Sequence, residues 1–342
     1  MDPRYSRQLV LPGFGASAQA RLEQARVLVI GAGGLGSAVL PALAAAGVGT
    51  IGIIDDDLVE LSNLHRQTIH GTEDVGNFKT TSAIESMRAI NPSVRVEPVE
   101  ARLDSANALE LFAQYDLVVD GSDNFPTRYL AADAATITAT PVVWGAVSKY
   151  GGQASVALPG GPGYRDLFPV PGTAESCEVG GVLPTTVAVI GSIMATEVLK
   201  VLTGVGEPLA GRVTTYDALT GRFREIAFST SAEPVTALID YELFCGVGDS
   251  DIPAGASLLD VRETWEAEIA SLPGALLVPL GSLPDVIDRL DPQEDWVVYC
   301  HHGIRSLQAV ELMKQHGFES VRSLEGGIDA WARANDPTMA RY

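Results

Sequence analysis

The hydrophobic positions in the first half of the chain alternate between short runs typical of buried strands and longer runs typical of helices. Residues 26–30, RVLVI, form an unbroken apolar run rich in β-branched residues, as expected of a parallel strand buried on both faces. A glycine turn, an Ala- and Leu-rich helix over 37–46 and the strand TIGIID come next. Pro41 is expected to kink this helix, because proline removes an interior hydrogen bond. The order strand, turn, helix, strand predicts the start of a doubly wound α/β sheet.

The same pattern continues towards the C-terminus and then changes. Strands are predicted within 115–124 and 141–147, and a helix over 185–203 is expected to end at Gly204. Residues 211–228 alternate around a Thr-Gly turn, which predicts a hairpin. A second succession of strands and helices begins with SLLDVR and ends with SVRSLEGG.

These elements predict an α/β protein of two domains. The first is a Rossmann-like doubly wound sheet with a C-terminal antiparallel part, and the second is a small α/β domain. The expected division is a first domain over 1–230, a linker over 231–250 and a second domain over 251–342.

The amino-acid composition narrows the range of possible binding partners. The chain has 43 acidic and 23 basic residues in 342, a net charge of −20, which argues against nucleic acid and anionic membranes. Its cysteines, Cys177, Cys245 and Cys300, are too far apart for a disulfide framework or a CxxC metal site. No signal sequence and no uninterrupted apolar span is recognised. We expect a soluble cytoplasmic protein in a reducing compartment.

The turn after the first strand carries the pattern Gly31-x-Gly33-Gly34-x-Gly36 between a strand and a helix. Without β-carbons the backbone approaches a phosphate closely, and the helix N-terminus stabilises the negative charge there. Asp55, at the end of the second strand, is placed to accept hydrogen bonds from ribose hydroxyls. These features predict a nucleotide site and leave NAD(P) and ATP as alternatives.

Side chains that follow Asp55 favour ATP. Arg66 and Lys79 come shortly after it together with Asn63, and a dehydrogenase does not need two cations there. A triphosphate does need them, because its charge must be neutralised as pyrophosphate leaves. Asp123, directly after another strand, is placed to bind a magnesium ion that bridges the phosphates. The alternative is that these residues are ordinary surface charges.

Residues 4–228 resemble the adenylyltransferases that activate ubiquitin-like sulfur carriers, the ThiF/MoeB/HesA group. The resemblance rests on segments that occur in order: RYSRQLVLPGFG, GAGGLGS, GIIDDDLVELSNLHRQ, GNFKT, INP, DGSDNFPTRY and YDALTGRFR. It implies that ATP adenylates the C-terminal Gly-Gly carboxylate of a small carrier protein and releases pyrophosphate.

The resemblance also implies roles for single residues. The nucleotide-binding residues are expected to be Gly33, Gly34, Asp55 for the ribose, Asn63, Arg66 and Lys79 for the phosphates, and Asp123 for magnesium. Arg66, Lys79 and Asp123 are expected to act in catalysis as well. Arg7 matches the arginine that such enzymes supply to the partner subunit's ATP, which implies a homodimer.

The chain departs from this family at a metal site. Many relatives hold a structural zinc with two CxxC pairs, whose first pair falls here on Pro162 or Gly163 and on Asp166, while only Cys245 remains for the second. Tetrahedral zinc needs four such ligands, so we predict no structural zinc. Cys177 falls where relatives place a loop crossing the active site. It is either a thioester-forming thiol or an inert loop residue, and its two flanking glutamates favour the latter.

The segment VVYCHHGIRS places Cys300 at the end of an apolar strand and before a helix. In that geometry loop amides can converge on the sulfur, and the helix N-terminus and Arg305 favour a thiolate. Gly303 permits the tight loop, and Ser306 is expected to cap the helix. The alternative is an inert cysteine at a strand end.

Residues 252–335 resemble a rhodanese, a single-domain sulfurtransferase, through LLDVRE, YCHHGIRS and LEGGIDAW in that order. The resemblance implies that Cys300 carries a persulfide and that Arg305 orients an anionic sulfur donor, either a persulfide or thiosulfate. His301 and His302 could bind a metal, but no third ligand stands at a matching spacing, which favours ordinary loop histidines.

Together the two halves predict one enzyme. The first domain makes an acyl-adenylate of the carrier, and the Cys300 persulfide attacks it on the way to a thiocarboxylate. The rhodanese part favours molybdenum cofactor synthesis or tRNA thiolation over thiamine or cysteine synthesis. Two alternatives are an NAD(P)-dependent oxidoreductase and a non-catalytic scaffold that binds a ubiquitin-like partner.

Overall fold

The computed structural model of the chain describes residues 2–171, 181–231, 235–245, 252–253, 255–301, 303–324, 326–336 and 339–340. The chain divides into two units, Met1–Tyr241 and Glu242–Tyr342. Each unit has its own sheet, and the two are described separately below.

The first unit is built on an eight-stranded sheet with the order β3-β2-β1-β4-β5-β6-β7-β8. Pairing is parallel from β3 through β5 and antiparallel from β5 through β8. The strands are β1 Arg26–Ile30, β2 Thr50–Ile54, β3 Arg95–Val99, β4 Leu117–Asp120, β5 Val142–Ser148, β6 Gly151–Ala157, β7 Arg212–Asp217 and β8 Arg222–Ala227. This order confirms the predicted Rossmann-like sheet with its antiparallel C-terminal part.

The helices of the first unit follow the strands along the chain. They are α1 Ser6–Leu9, α2 Gly15–Gln24, α3 Gly34–Ala46, α4 Lys79–Ile90, α5 Ala108–Phe112, α6 Phe125–Thr138, α7 Tyr164–Leu167 and α8 Pro184–Thr203. The predicted stop of α8 at Gly204 is confirmed, with Gly204 in the left-handed conformation at a φ of 67°. The helix does not end at Pro41, where a kink was expected, and α3 runs from Gly34 to Ala46 through it.

The core of the first unit lies between α3, α8 and the sheet. Val27 and Leu28, which lie on opposite faces of β1, are both fully buried, as predicted for a strand covered on both faces. Gly191 of α8 lies against Ala38 of α3, and a β-carbon there would approach that of Ala38 to 2.6 Å. By length and composition alone α8 could cross a bilayer, but the side chains on its buried face belong to this core.

The segment expected to be a linker contributes to the first unit. A short helix, α9 Tyr241–Phe244, lies at the division between the units. Tyr241 is buried, and its hydroxyl donates to Asp133 of α6. The chain after β8 therefore packs back onto the first unit instead of leaving it at once.

The second unit is a parallel four-stranded sheet with the order β10-β9-β11-β12. Its elements are β9 Ser257–Asp260, α10 Thr264–Ile269, β10 Leu276–Leu277, α11 Leu283–Val286, β11 Trp296–Tyr299, α12 Ile304–Gln315, β12 Val321–Ser323 and α13 Gly327–Asn335. Trp296 and Val298 of the central β11 are buried in its core. The predicted small α/β fold is confirmed.

Candidate active site

The glycine turn joins β1 to α3 and presents bare backbone. Gly31 has a φ of 89°, a left-handed conformation that favours glycine. A β-carbon at Gly36 would lie 2.2 Å from the Gly31 carbonyl oxygen, so α3 can start this close to β1 only without a side chain. Gly34 lies against Val187 of α8 and the backbone of Arg66. The turn therefore places backbone without side chains at the N-terminus of α3, where an anion would be stabilised.

Asp55 closes the turn from the end of β2. One carboxylate oxygen accepts the Ala32 N–H at 2.7 Å, and the other accepts the Asp57 N–H at 2.9 Å. Burial raises the pKa of Asp55, and the positive charge of Lys79 opposes the rise. The carboxylate is thus part of the turn, and each oxygen keeps a lone pair that a ribose hydroxyl could use.

Lys79 is the cation at the centre of the site. It begins α4, is 6% exposed, and its Nζ lies 2.7 Å from Asp57 Oδ2. Burial acts to lower the pKa of Lys79, but the carboxylates of Asp55, Asp57 and Asp123 outweigh it and raise that pKa. Lys79 therefore stays charged throughout the neutral range, and Asp123 belongs to the same electrostatic cluster.

Three other predicted residues differ in how close they come to the turn. Arg66 lies beside Gly34, and its side chain is half-buried. Asn63 is buried, and its amide oxygen accepts the Glu60 N–H at 3.3 Å, so it caps a local turn. Arg7 is exposed on α1. The predicted residues that the structure brings together are Gly33, Gly34, Asp55, Arg66, Lys79 and Asp123.

Two buried polar residues of this site were not singled out from the sequence. Gln67 Nε2 would lie 3.6 Å from a β-carbon at Gly33. His70 lies behind the turn, with Nε2 2.9 Å from the Ala32 carbonyl oxygen. Both stand in NLHRQTIH, in the segment between β2 and α4. No local pattern marks them, because their burial depends on tertiary structure.

Cys300 follows β11 and is 2% exposed. Its Sγ accepts the Gly303 N–H at 3.2 Å and lies 3.6 Å from Ser306 Oγ. Gly303 has a φ of 91°, as the tight loop requires. Among the described residues one loop amide therefore faces the sulfur, and His302 lies outside them.

The N-terminus of α13 holds the Cys300 loop through two backbone hydrogen bonds. Ile328 N–H donates to the Cys300 carbonyl at 2.9 Å, and Asp329 N–H donates to the His301 carbonyl at 3.1 Å. A β-carbon at Gly327 would lie 2.4 Å from the Cys300 carbonyl oxygen. With its carbonyls bonded to α13, the loop is free to turn amides towards the sulfur. This contact explains Gly327, the second glycine of LEGGIDAW.

Ser306 does not cap α12 as expected, because that helix already begins at Ile304. Its hydroxyl instead donates to the Gly303 carbonyl at 2.9 Å and lies 2.7 Å from Ser323 Oγ. Ser306 therefore ties the sulfur loop to the end of β12.

Arg305 is engaged by a carboxylate. Its two terminal nitrogens donate to the two oxygens of Glu266 at 2.6 Å each, and Glu266 is buried. Arg262 of LLDVRE lies next to this pair: it is fully buried, bonds Asp260 and the Ala270 carbonyl, and lies 3.5 Å from the Glu266 carbonyl oxygen. The positive charge expected to meet an anionic sulfur donor is thus compensated in this structure.

The residues at the zinc positions of relatives do not fit a zinc ion. Asp166 Oδ2 accepts the Gly163 N–H at 2.8 Å, and its other oxygen accepts the Ser231 N–H. Among the described residues, the group of metal-ligand side chains close enough to share an ion is Asp55 to Asp57, which includes neither Asp166 nor Cys245. Cys177 lies outside the described residues.

A second polar cluster lies beside Asp166. Asp133 of α6 is buried and accepts two bonds from Arg165, at 2.6 and 2.7 Å, and one from the Tyr241 hydroxyl at 2.7 Å. Burial and the Asp133 charge raise the pKa of Tyr241, so its hydroxyl stays a donor. These bonds join α6, α7 and the chain after β8.

A doubly wound sheet with a bare glycine turn, an acidic strand end and a buried lysine defines a nucleotide-binding enzyme domain. The second unit is a small α/β domain whose cysteine lies in a loop between a strand and a helix. Residues 5–236 match the ThiF family, and residues 248–334 match the rhodanese-like domain. The chain belongs to the ThiF family and carries a C-terminal rhodanese-like domain.

Similar proteins are found in bacteria and plants. "Probable adenylyltransferase/sulfurtransferase MoeZ" of Mycobacterium tuberculosis is 46% identical over 99% of this chain and 95% of its own length. The sulfur carrier protein adenylyltransferase of Thermus thermophilus is 50% identical over 71% of this chain and 96% of its own. The adenylyltransferase and sulfurtransferase MOCS3-1 of Zea mays is 38% identical over 99% and 83%.

The crystal structure of E. coli MccB with ATP has the same fold, with a TM-score of 0.61 at 21% identity over 69% of this chain and 75% of that one. The predicted enzyme class, adenylyltransferase and sulfurtransferase, is confirmed by the relatives. The two alternatives, an NAD(P)-dependent oxidoreductase and a non-catalytic scaffold, are set aside.

Proposed function

We propose that this adenylyltransferase and sulfurtransferase acts on a small ubiquitin-like sulfur carrier protein and converts its C-terminal Gly-Gly carboxylate into a thiocarboxylate. The observation that carries the proposal is the joining, in one chain, of a bare glycine turn with a charged cluster and a cysteine whose sulfur accepts the N–H of Gly303. A Thermus thermophilus relative is named for a sulfur carrier protein, which supports this substrate.

The first step consumes ATP. A carboxylate oxygen of the carrier attacks the α-phosphorus, forming the acyl-adenylate bond while the bond to pyrophosphate breaks. The backbone of Gly33 and Gly34 binds the phosphates at the N-terminus of α3, and Asp55 accepts the ribose hydroxyls. Arg66 and Lys79 neutralise the charge that develops as pyrophosphate leaves.

Magnesium and a partner subunit would complete this site. Asp123 is exposed beside Lys79, and one carboxylate plus phosphate oxygens is a common way to hold magnesium. The ion would supply charge neutralisation of the phosphates there. Arg7 is exposed on α1, which suits an arginine that reaches the ATP of the other subunit in a homodimer.

The second unit supplies sulfur. The Cys300 thiolate attacks the sulfane sulfur of thiosulfate, forms an S–S bond and releases sulfite, so Cys300 becomes a persulfide. The Gly303 amide, which faces Sγ, stabilises the anion. Arg305 acts through Glu266, because their bidentate bonds fix the start of α12 beside the loop.

The persulfide then meets the acyl-adenylate. The outer sulfur attacks the acyl carbon, AMP leaves, and carrier and Cys300 become joined through an acyl disulfide. Two electrons from a dithiol reduce that S–S bond and release the carrier thiocarboxylate and the Cys300 thiol. A reducing cytoplasm suits a cycle that ends on a free thiol.

The test separates the two half-reactions in the full chain. Asp123→Ala should abolish carrier-dependent ATP–pyrophosphate exchange and leave thiosulfate sulfurtransferase activity unchanged. Cys300→Ser should do the reverse. Glu85→Ala and Cys245→Ser, which change an exposed acid of α4 and the other described cysteine, are the matched controls and should keep both activities.

Mass spectrometry of the carrier closes the test. The wild type with thiosulfate and a dithiol should raise the carrier mass by about 16 Da, one oxygen exchanged for sulfur, and Cys300→Ser should not. If either Asp123→Ala or Cys300→Ser removed both activities from folded protein, the division of labour proposed here would be wrong.

A further inference from the structure

A buried histidine lies behind the nucleotide turn and is not used by the steps above. His70 follows the segment that carries Arg66, is 7% exposed, and its Nε2 lies 2.9 Å from the carbonyl oxygen of Ala32. Ala32 is the residue between Gly31 and Gly33, so this bond reaches the middle of the glycine turn.

The hydrogen-bond partners fix which nitrogen of His70 carries the proton. A carbonyl only accepts, so Nε2 must be the donor to Ala32. Burial lowers the pKa of His70, which keeps the ring neutral near pH 7. On the other side of the ring, Nδ1 lies 2.8 Å from Ser82 Oγ, and that hydroxyl also lies 2.8 Å from Asp74 Oδ2. The single Ser82 proton serves one of these two acceptors at a time, and both contacts keep the ring next to α4 and the turn before it.

The bond to Ala32 sets the direction of the next amide. The peptide between Ala32 and Gly33 is trans and planar, so its C=O and N–H point to opposite sides. With the carbonyl held towards His70 in the interior, the Gly33 N–H points away from it. The other side of Ala32 is fixed as well, because its N–H donates to Asp55 at 2.7 Å.

The Gly33 amide itself is available for a ligand. Within the described part of the chain, no backbone or side-chain acceptor is found for it. Gly33 precedes α3, where free N–H groups and the helix N-terminus favour a phosphate.

We propose that His70 is a positioning residue for the nucleotide, which holds the Ala32 carbonyl so that the Gly33 N–H faces a phosphate of ATP. This inference rests on the proposed function, because it needs ATP at the glycine turn. His70 does not touch the nucleotide; it acts through one peptide plane.

Two polar substitutions test the donor without removing polarity from the interior. In His70→Gln the side-chain nitrogen falls close to the place of Nε2 and can still donate to Ala32. In His70→Asn the amide is too short to reach it. His70→Leu fills the space with no donor at all. His316→Leu, which changes an exposed histidine of the second unit, is the matched control.

The readouts are the ATP dissociation constant by titration calorimetry on the full chain, and KM for ATP and kcat in carrier-dependent exchange. His70→Asn and His70→Leu should weaken ATP binding and raise KM about tenfold, the effect of one hydrogen bond of ordinary strength, with kcat changed less. His70→Gln and His316→Leu should stay within about threefold of wild type.

Two results would overturn the inference. One is wild-type ATP affinity in His70→Asn. The other is an equal loss in His70→Gln and His70→Asn, which would make the shape of the ring, and not its donor, responsible. If His70→Leu fails to fold, the comparison of His70→Gln with His70→Asn still decides whether the hydrogen-bond donor to Ala32 matters. Wild type that binds no ATP at all would instead overturn the proposed function.

Discussion

Arg305 donates to both carboxylate oxygens of Glu266, at 2.6 Å each, and so joins the helix after the sulfur loop to the helix after β9. The Glu266 side chain is 4% exposed and that of Arg305 is 29% exposed. The motif arginine is therefore a structural partner of a buried acid in this protein, and its proposed contribution to catalysis is to hold the start of α12 beside the sulfur loop.

Replacing either member of this pair should lower the stability of the second unit, and the two losses should differ in size. Arg305→Ala leaves a buried carboxylate without its cation and should lower the free energy of unfolding by about 3 kcal/mol. Glu266→Gln should cost about 1–2 kcal/mol, because the exposed side of Arg305 can reach water. Chemical denaturation measures both, with the exposed Arg289→Ala as control. Equal costs for the two variants would contradict this ranking.

Gly327 should tolerate no side chain. An alanine β-carbon there would meet the carbonyls of Cys300 and His301 at 2.3–2.4 Å, at a φ of 64°. Gly327→Ala should abolish thiosulfate sulfurtransferase activity while carrier-dependent exchange persists. Gly274→Ala is the control: it shares a left-handed φ of 80° but has open space around it, so it should cost about 1 kcal/mol and keep activity. An active Gly327→Ala would show that α13 does not hold the loop.

The first unit should be stable without zinc. Metal analysis of the purified chain should find far less than one zinc per chain, and a chelator should leave the unfolding midpoint unchanged. A chelator-sensitive midpoint would mean that a metal site exists after all.

The Tyr241 hydroxyl should stabilise the first unit. Tyr241→Phe should lower the free energy of unfolding by about 1.5–3 kcal/mol, since it removes a donor from the buried Asp133 carboxylate. Tyr150→Phe, at an exposed tyrosine, should change nothing.

His70 should make stability depend on pH below neutrality. Its pKa is lowered from 6.5 by burial, so below pH 6.5 the unfolded chain binds a proton that the folded chain does not. The unfolding free energy must then fall as pH falls. Between about pH 7.5 and pH 5.5 the wild type should lose more stability than His70→Gln, since glutamine binds no proton. Urea midpoints at the two pH values measure this, and parallel losses would mean that His70 is protonated when folded.

Much of the fold could be predicted from local patterns. The β-branched run around Val29 and the Gly204 stop of α8 follow from rules that act over a few residues, and both were predicted correctly. Pro41 lies inside α3, and the helix continues through it. The packing of α3 under α8 outweighs one missing hydrogen bond, and packing is not visible in a local pattern.

The candidate site was predicted unevenly. Asp55 and Lys79 were predicted from motif spacing, and the structure places them at the end of β2 and the start of α4. Glu266 was missed as the partner of Arg305, since nothing local to either residue indicates the other. His70 was missed because its burial depends on where α4 lies.

The sequence by itself determined the class of fold, the two domains and the family, because these depend on periodicity and on glycines and charged residues at fixed spacings. Only the tertiary structure decided which of those charges are compensated and which backbone amides face outward. A hydrogen bond such as that of His70 to Ala32 joins residues that are far apart in the chain, and its geometry is set by the packing of whole elements.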